Sequence, residues 1–283
     1  LAKLAQLFPE RAGTLPKVLA AALTARAEGN PFYVEELLNY LRDRDISPYD
    51  DMALRAIALP SSLQALILSR LDRLSESEKA TVKTASIIGR AFSLAWLHGY
   101  YPELGASDEL KTSLARLAQL DIAPLQTSEP ELTSLFKHAM TRDVAYESLP
   151  HALRSQLHER LAWFIESLDA NSHLAPLAFH YGLSDNNAKK IEYLQRGGDA
   201  AMAIAAYAAA CDYFTRLLPL QADPKAQVNL HLSLGEAHFR LSNFPQSRKE
   251  IDEALRQAAA PADRAAALSL LATISSQSNG DYA

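Results

Sequence analysis

The sequence is poor in the residues that most often announce chemistry. A single cysteine, Cys211, in 283 residues excludes an internal disulfide and a cysteine-based zinc site, and fits a reducing compartment. None of the 10 glycines is followed by lysine. The Gly-x-x-x-x-Gly-Lys-Ser/Thr loop that cradles phosphates is therefore missing, and with it a basis for ATP hydrolysis by this stretch alone. Gly197-Gly198 lies within a helical run and lacks dinucleotide spacing, and there is no Gly-x-Ser-x-Gly nucleophile elbow. Positive charge is also short: 28 Lys and Arg against 33 Asp and Glu give a net charge of -5, without the footprint of a general nucleic-acid binder. The uncharged run Ala200 to Cys211, between Asp199 and Asp212, is too short to cross a bilayer. The first thirteen residues lack the charge and apolar order of a signal peptide. Together these point to a cytoplasmic chain.

What the sequence has in quantity is helix-forming residues. Ala and Leu make up about a third of it, and the expected fold is mainly α. The length suits two or three domains. Thr14-Leu15-Pro16 places a cap and an early proline before a periodic run through Leu23 and Ala27. Gly29-Asn30-Pro31 interrupts it, and Phe32, Val34, Leu37, Leu38 and Leu41 follow at helical spacing. The polar stretch from Arg42 to Ala58 reads as a loop or linker. Leu63, Leu66, Ile67, Leu71 and Leu74 then form one apolar face. Ser75 to Glu78 fits a capping box opening a helix to about Ile88. A short helix is expected over Phe92 to Tyr100, another over Asp108 to Leu120 with Ser107 as cap, and two strands over 122–125 and 132–136. Three helices followed by a β-hairpin is the order of a winged helix. The helix over 108–120 carries Asp108, Glu109, Lys111 and Arg116, too balanced a set for a groove reader.

Beyond Arg142 the pattern is helical to the end. His151/His158, His173/His180 and His231/His238 are each seven apart, about 10.5 Å along a helix, too far to share a metal ion. They read as packing or surface histidines, and Cys211 as a small core residue. No metal or catalytic site is expected. Tyr207, Phe214 and Leu217 recur 37 residues later as Phe244, Ile251 and Ala254, with Tyr282 a further 38 beyond Phe244. Leu234-Gly235-x-x-His238, Asn243-Phe244 and Ala254 resemble the tetratricopeptide pattern, although His238 stands where Tyr is usual and Ser247 where Ala is usual. The chain is expected to be incomplete at both ends, starting within a helix and stopping inside a repeat.

Three stretches resemble one family, the signal-transduction NTPases with numerous domains. Ala27-Glu28-Gly29-Asn30-Pro31-Phe32-Tyr33-Val34-Glu35-Glu36-Leu37 is similar to their Gly-x-Pro segment. Leu59-Pro60-x-x-Leu63, Ser69-Arg70-Leu71-Asp72-Arg73-Leu74 and Ala85-Ser86-Ile87-Ile88-Gly89-Arg90-x-Phe92 are similar to the entry to their winged helix. Phe136-Lys137-His138-x-x-x-Arg142-Asp143-Val144-Ala145-Tyr146-Glu147-Ser148-Leu149-Pro150, with Arg154-x-x-Leu157-His158, is similar to the segment that leaves it.

The resemblance implies three domains: 1–56, the end of an NTPase helical subdomain; 57–168, a winged helix; and 169–283, truncated tetratricopeptide-like repeats forming a helical-hairpin solenoid. It implies a parent in which an upstream P-loop core binds ATP or ADP and a cyclase, a kinase or a LuxR-type domain forms the output, a class III adenylate or guanylate cyclase being the first expectation. Gly29 and Pro31 would meet the adenine. His138 would reach the ADP phosphates, and Arg142 would pair with Asp143 or a phosphate. The histidine's alternative is packing at a strand-to-helix junction, and the proline's is a plain helix start. The repeats would hold a protein partner. Two rivals remain open, an interaction adaptor without a nucleotide role and part of a transcription regulator. The fragment is also expected to self-associate through surface left uncovered by the missing core.

Overall fold

The structure is a computed structural model that describes residues 16–278 apart from 28, 58 and 128–130. The Thr14-Leu15 part of the first cap, Glu28 and the Tyr282 repeat match lie outside the described residues. The chain divides into two compact units, Leu1–Leu157 and His158–Ala283. The fold is mainly α, with one small antiparallel sheet and a run of helical hairpins. No described helix is long and apolar enough to cross a membrane.

The first unit opens with α1 (Lys17–Arg26) and α2 (Pro31–Arg42). Gly29 joins them at φ +80°, a left-handed conformation open to glycine. Asn30 caps α2 by accepting from the Phe32 N–H at 2.9 Å, and Pro31 occupies the first turn, where its missing N–H costs nothing. The polar stretch expected as a loop contains a helix, α3 (Asp51–Ala56). The Asp50 carboxylate accepts from the Met52 and Ala53 N–H groups at 3.0 Å, and Leu54 is buried. A cap and one apolar anchor suffice, which is too little periodicity to read in advance. Leu19, Leu23, Leu37, Leu41, Leu54 and Leu66 belong to one core, so α1, α2, α3 and α4 (Leu63–Leu71) pack together.

Helix α5 (Glu76–Ile88) begins with the expected capping box: Ser75 Oγ accepts from the Glu78 N–H, and the Glu78 carboxylate accepts from the Ser75 N–H. Phe92 and Ser93, expected to open a helix, instead join Ala91 in β1 (Ala91–Ser93), and Ser93 caps α6 (Leu94–Tyr100). Helix α7 (Ser107–Gln119) starts one residue early, with Ala106 as its cap position and the Glu109 carboxylate accepting from the Ala106 N–H at 3.1 Å. The hairpin is β2 (Leu125–Thr127) and β3 (Thr133–Leu135), in a sheet of order β1-β3-β2. Ile122 and Ala123 are not in a strand. They are buried and donate their N–H groups back to the Leu117 carbonyl, closing α7. Helix α8 (Ala139–Glu147) follows the sheet, and α9 (His151–Asp169) contains the division between the units.

The second unit is a series of hairpins with a fixed repeat. After α10 (Leu174–Gly182) come α11 (Asn187–Ala203), α12 (Tyr207–Leu217), α13 (Pro224–Arg240), α14 (Phe244–Gln257) and α15 (Pro261–Ser278). Helices α11, α13 and α15 start at 187, 224 and 261, and α12 and α14 at 207 and 244, all at the 37-residue interval read from the sequence. Ala205 and Ser242, also 37 apart, take positive φ at the ends of α11 and α13. The two hairpin crossings are equally matched. A Cβ on Gly198 would run into the Phe214 ring, and one on Gly235 would lie 2.5 Å from Ile251 Cγ1. The Gly197-Gly198 pair, without a dinucleotide role in sequence, is thus where α12 lies close on α11.

Candidate functional site

Residues from distant stretches of the first unit meet at the start of α2. Gly29, Asn30 and Pro31 are exposed there, and a Cβ on Gly29 would meet nothing within 4 Å. The Phe32 ring, half exposed, stands edge-on to the His138 imidazole with ring centroids 4.7 Å apart. One turn on, the Glu35 carboxylate receives the Lys137 ammonium on Oε1, and Oε2 lies 3.3 Å from His138 Nε2. Nε2 itself is buried and makes no hydrogen bond. Lys137 also donates to Asp121. Local structure fixes this corner: the Phe136 N–H donates to the Arg90 carbonyl at 2.8 Å, the Lys137 N–H donates to the Ile122 carbonyl at 3.1 Å, and His138 stands at the cap position of α8.

Of the residues singled out in sequence, Gly29, Pro31 and His138 lie in one neighbourhood, Phe32 being the link. Arg142 does not join them. Its Nε donates to the Ser86 carbonyl at 2.9 Å, its Nη1 to Asp143 at 3.0 Å, and its guanidinium lies over the Tyr146 ring at 4.7 Å. Those contacts tie α8 to the end of α5, and Asp143, one of the two partners expected for it, is in contact. Electrostatically the corner is mixed, with Lys137 and His138 facing Glu35 and Asp121. An anionic ligand at His138 has to displace Glu35.

Beneath this corner is a feature that sequence reasoning missed. Arg70 of α4 is 4% exposed, and its guanidinium donates to Glu36 at 2.5 Å, to Asp43 at 2.7 Å and to the Leu120 carbonyl at 2.5 Å. Arg42 adds donations to Asp43 at 2.8 Å and to Leu120 at 3.0 Å. Burial works against the Arg70 charge, but Glu36 and Asp43 outweigh it, so its pKa is raised above the ordinary arginine value. The signal was positional. Arg70 follows Leu66 by four and Ile67 by three, on the apolar face of its helix, where a long cation belongs only if partnered.

The second unit holds further polar clusters. Glu166 accepts from Tyr181 Oη at 2.6 Å, Tyr193 Oη at 2.7 Å and Lys189 Nζ at 2.6 Å, while the tyrosine rings stack at 5.2 Å. Burial opposes the Glu166 charge, but the three donors prevail and lower its pKa. Burial and that carboxylate push Tyr193 up to about 12 and Tyr181 higher still. His158 and His180 are both buried and hydrogen-bond to each other through Nδ1 atoms 2.9 Å apart. They pair across helices and not along one. His231 meets Glu250 at 2.8 Å, and Cys211 Sγ lies 3.8 Å from His238 Nδ1. Burial, aided by Glu250, raises the Cys211 pKa, which keeps the thiol protonated and a poor nucleophile. Among the described residues no three His, Cys, Asp or Glu side chains are grouped to hold a metal ion.

No protein-family model matches the chain, and no curated protein matches it. A solved structure that is similar is the signal transduction ATPase with numerous domains (STAND) protein with a tetratricopeptide repeat sensor from Pyrococcus horikoshii. It aligns over 96% of this chain at 11% identity with a TM-score of 0.43. The chain spans 43% of that protein's length.

Proposed function

We propose that this chain is a regulatory and scaffold segment of an ATP/ADP-switched signalling protein. In this reading the 57–168 stretch is a winged helix that closes over nucleotide held by an upstream P-loop core. The 169–283 hairpins are tetratricopeptide-like and receive a protein partner, and the parent's output is cyclic-nucleotide synthesis. Chemistry lies outside the chain, and Gly29, Pro31 and His138 touch the nucleotide. Arg142 holds α8 in place through Ser86 and Asp143, and a phosphate is the further partner the reading gives it. The observation that carries the reading is the Phe32–His138 contact, which sets a buried imidazole nitrogen without a hydrogen-bond partner beside the Gly-x-Pro turn. A flat pyrrolidine suits a purine face, and an imidazole N–H suits a phosphate oxygen. Exchange of ADP for ATP would then shift the population between closed and open states.

The adaptor reading has its own observation, since Glu35 already faces His138 and the histidine then serves to dock α2. ADP binding to the parent polypeptide separates the two. In the switch reading His138→Ala weakens ADP binding tenfold or more and raises basal output. Unchanged affinity in that variant removes the nucleotide role and leaves the adaptor.

A further inference from the structure

Arg42, Arg70 and Arg142 of the first unit each meet a carboxylate within 3.0 Å. Arg26 and Arg55 do not, and neither forms an ion pair among the described residues. Arg26 ends α1 and Arg55 stands in the last turn of α3, and both line one pocket of about 280 Å³. The rest of that lining is aliphatic: Val18, Leu19, Ala25, Leu54, Ile57 and Leu59. Leu19 and Leu54 are buried and belong to the core that joins α1 to α4, so the floor is set by core packing. The Arg26 side is placed as well. Burial raises the Tyr33 pKa, and Arg26, beside that hydroxyl, opposes the rise. The same hydroxyl donates to the Pro60 carbonyl at 2.8 Å, next to Leu59.

An arginine in the last turn of a helix complements the negative end of the helix dipole. That role serves each residue singly. It does not account for two cations from different helices lining one apolar pocket. Like charges there repel, and among the described residues no lining carboxylate relieves them. An anion held between the guanidiniums does, through the charge-assisted, forked hydrogen bonds that arginine makes. The aliphatic side chains then remove the remainder of such a ligand from water, provided that the remainder is apolar. The volume lies near the lower end of pockets that enclose small molecules, and it is too small for a helix.

We propose that the pocket between α1 and α3 binds a small organic anion, a carboxylate or sulfonate carried on an apolar body. A bicyclic aromatic or a medium-chain acyl group suits its size. Arg26 and Arg55 grip the charged end, and Leu54, Ile57 and Leu59 receive the apolar end. The site is complete on this chain and does not rest on the nucleotide reading. Its occupant ties α1 to α3 and stabilises the first unit by mass action.

The test is calorimetric titration of the full chain with naphthalene-1-sulfonate, an aromatic anion of the proposed class. Saturable one-to-one binding is expected. Arg26→Gln and Arg55→Gln should each weaken it about tenfold, the worth of one hydrogen bond to a charged group. The neutral naphthalene-1-sulfonamide should bind correspondingly more weakly, and inorganic phosphate, which lacks an apolar body, should not displace the probe. Ala25→Trp, at an exposed lining position, fills the pocket with both charges in place and should abolish binding. Circular dichroism melts check that each variant is folded. The proposal is overturned by absence of saturable binding at millimolar probe, by unchanged affinity in both arginine variants, or by equal affinity for the sulfonamide. Displacement by phosphate also overturns it, since the site then reads charge alone, and binding that survives Ala25→Trp puts the probe elsewhere. Should an arginine variant fail to fold, the sulfonamide comparison and Ala25→Trp still decide.

Discussion

In the first unit the tie between helices distant in sequence is made by charge. Arg70 reaches back 34 residues to Glu36 and forward 50 residues to the Leu120 carbonyl. In the second unit the equivalent task falls to the smallest side chains: Gly198 lies under Phe214 and Gly235 under Ile251. The difference follows from topology. Hairpin repeats meet their sequence neighbours, so register can be set by a steric notch that recurs every 37 residues. The first unit joins segments that no repeat relates, and a buried charge with directional acceptors admits one arrangement where an apolar face would admit several. A notch tolerates loss of contact better than an ion pair tolerates loss of a partner, and mutation separates the two cases.

The largest effect is expected at Arg70. Arg70→Met keeps the length of the aliphatic stem but strands Glu36 and Asp43 in the interior, and removing one partner of a buried ion pair costs about 3–5 kcal/mol. Urea unfolding followed by circular dichroism should show the first unit losing that stability while the repeats keep theirs. A loss below about 1 kcal/mol would mean that water reaches the carboxylates in solution. The steric contact sets the next prediction. Gly198→Ala gains helix propensity but must push the Phe214 ring aside, and overpacking of this kind costs about 1–3 kcal/mol. Gly29→Ala, at an open but left-handed position, serves as the backbone-only control.

How much was legible beforehand follows the same line. The Ser75/Glu78 capping box and the 37-residue interval were readable because each is a local or periodic rule. The β1 strand was not, because three residues carry too little pattern and their partner in β3 lies some forty residues on. Ile122 and Ala123 look like strand residues by type but are used to close α7. At the candidate site, Gly29, Pro31 and His138 were singled out by resemblance alone. Glu35 and Lys137, 102 residues apart, carried no sign of meeting. Arg70 did carry one, its place on an apolar helix face, and that is the one clue from residue type and position that pointed to buried electrostatics. The repeats also hid their polar clusters, since Glu166, Tyr181 and Tyr193 sit on three helices and converge only in the folded hairpins.

Glu166 provides the smallest effect and the sharpest contrast with Arg70, because it is a charged anchor at which solvent still competes. Its pKa is lowered in the fold, so the stability it supplies is present above the ordinary carboxylate range and is lost as pH falls through the lowered value. Tyr181 and Tyr193 are raised. Their contribution is present below pH 10 and is lost as pH rises beyond it, Tyr193 following through about 12. Thermal melts of the second unit's helices against pH should therefore fall on both an acid and an alkaline flank. Glu166→Gln keeps an acceptor for the tyrosines but removes the titrating charge. It should flatten the acid flank, flatten the alkaline flank only in part because burial also raises the tyrosines, and cost about 1 kcal/mol at neutral pH, the size expected of a partly solvated pair. An acid flank that survives the substitution unchanged would assign it to other carboxylates and reduce the Glu166 cluster to packing around the stacked rings.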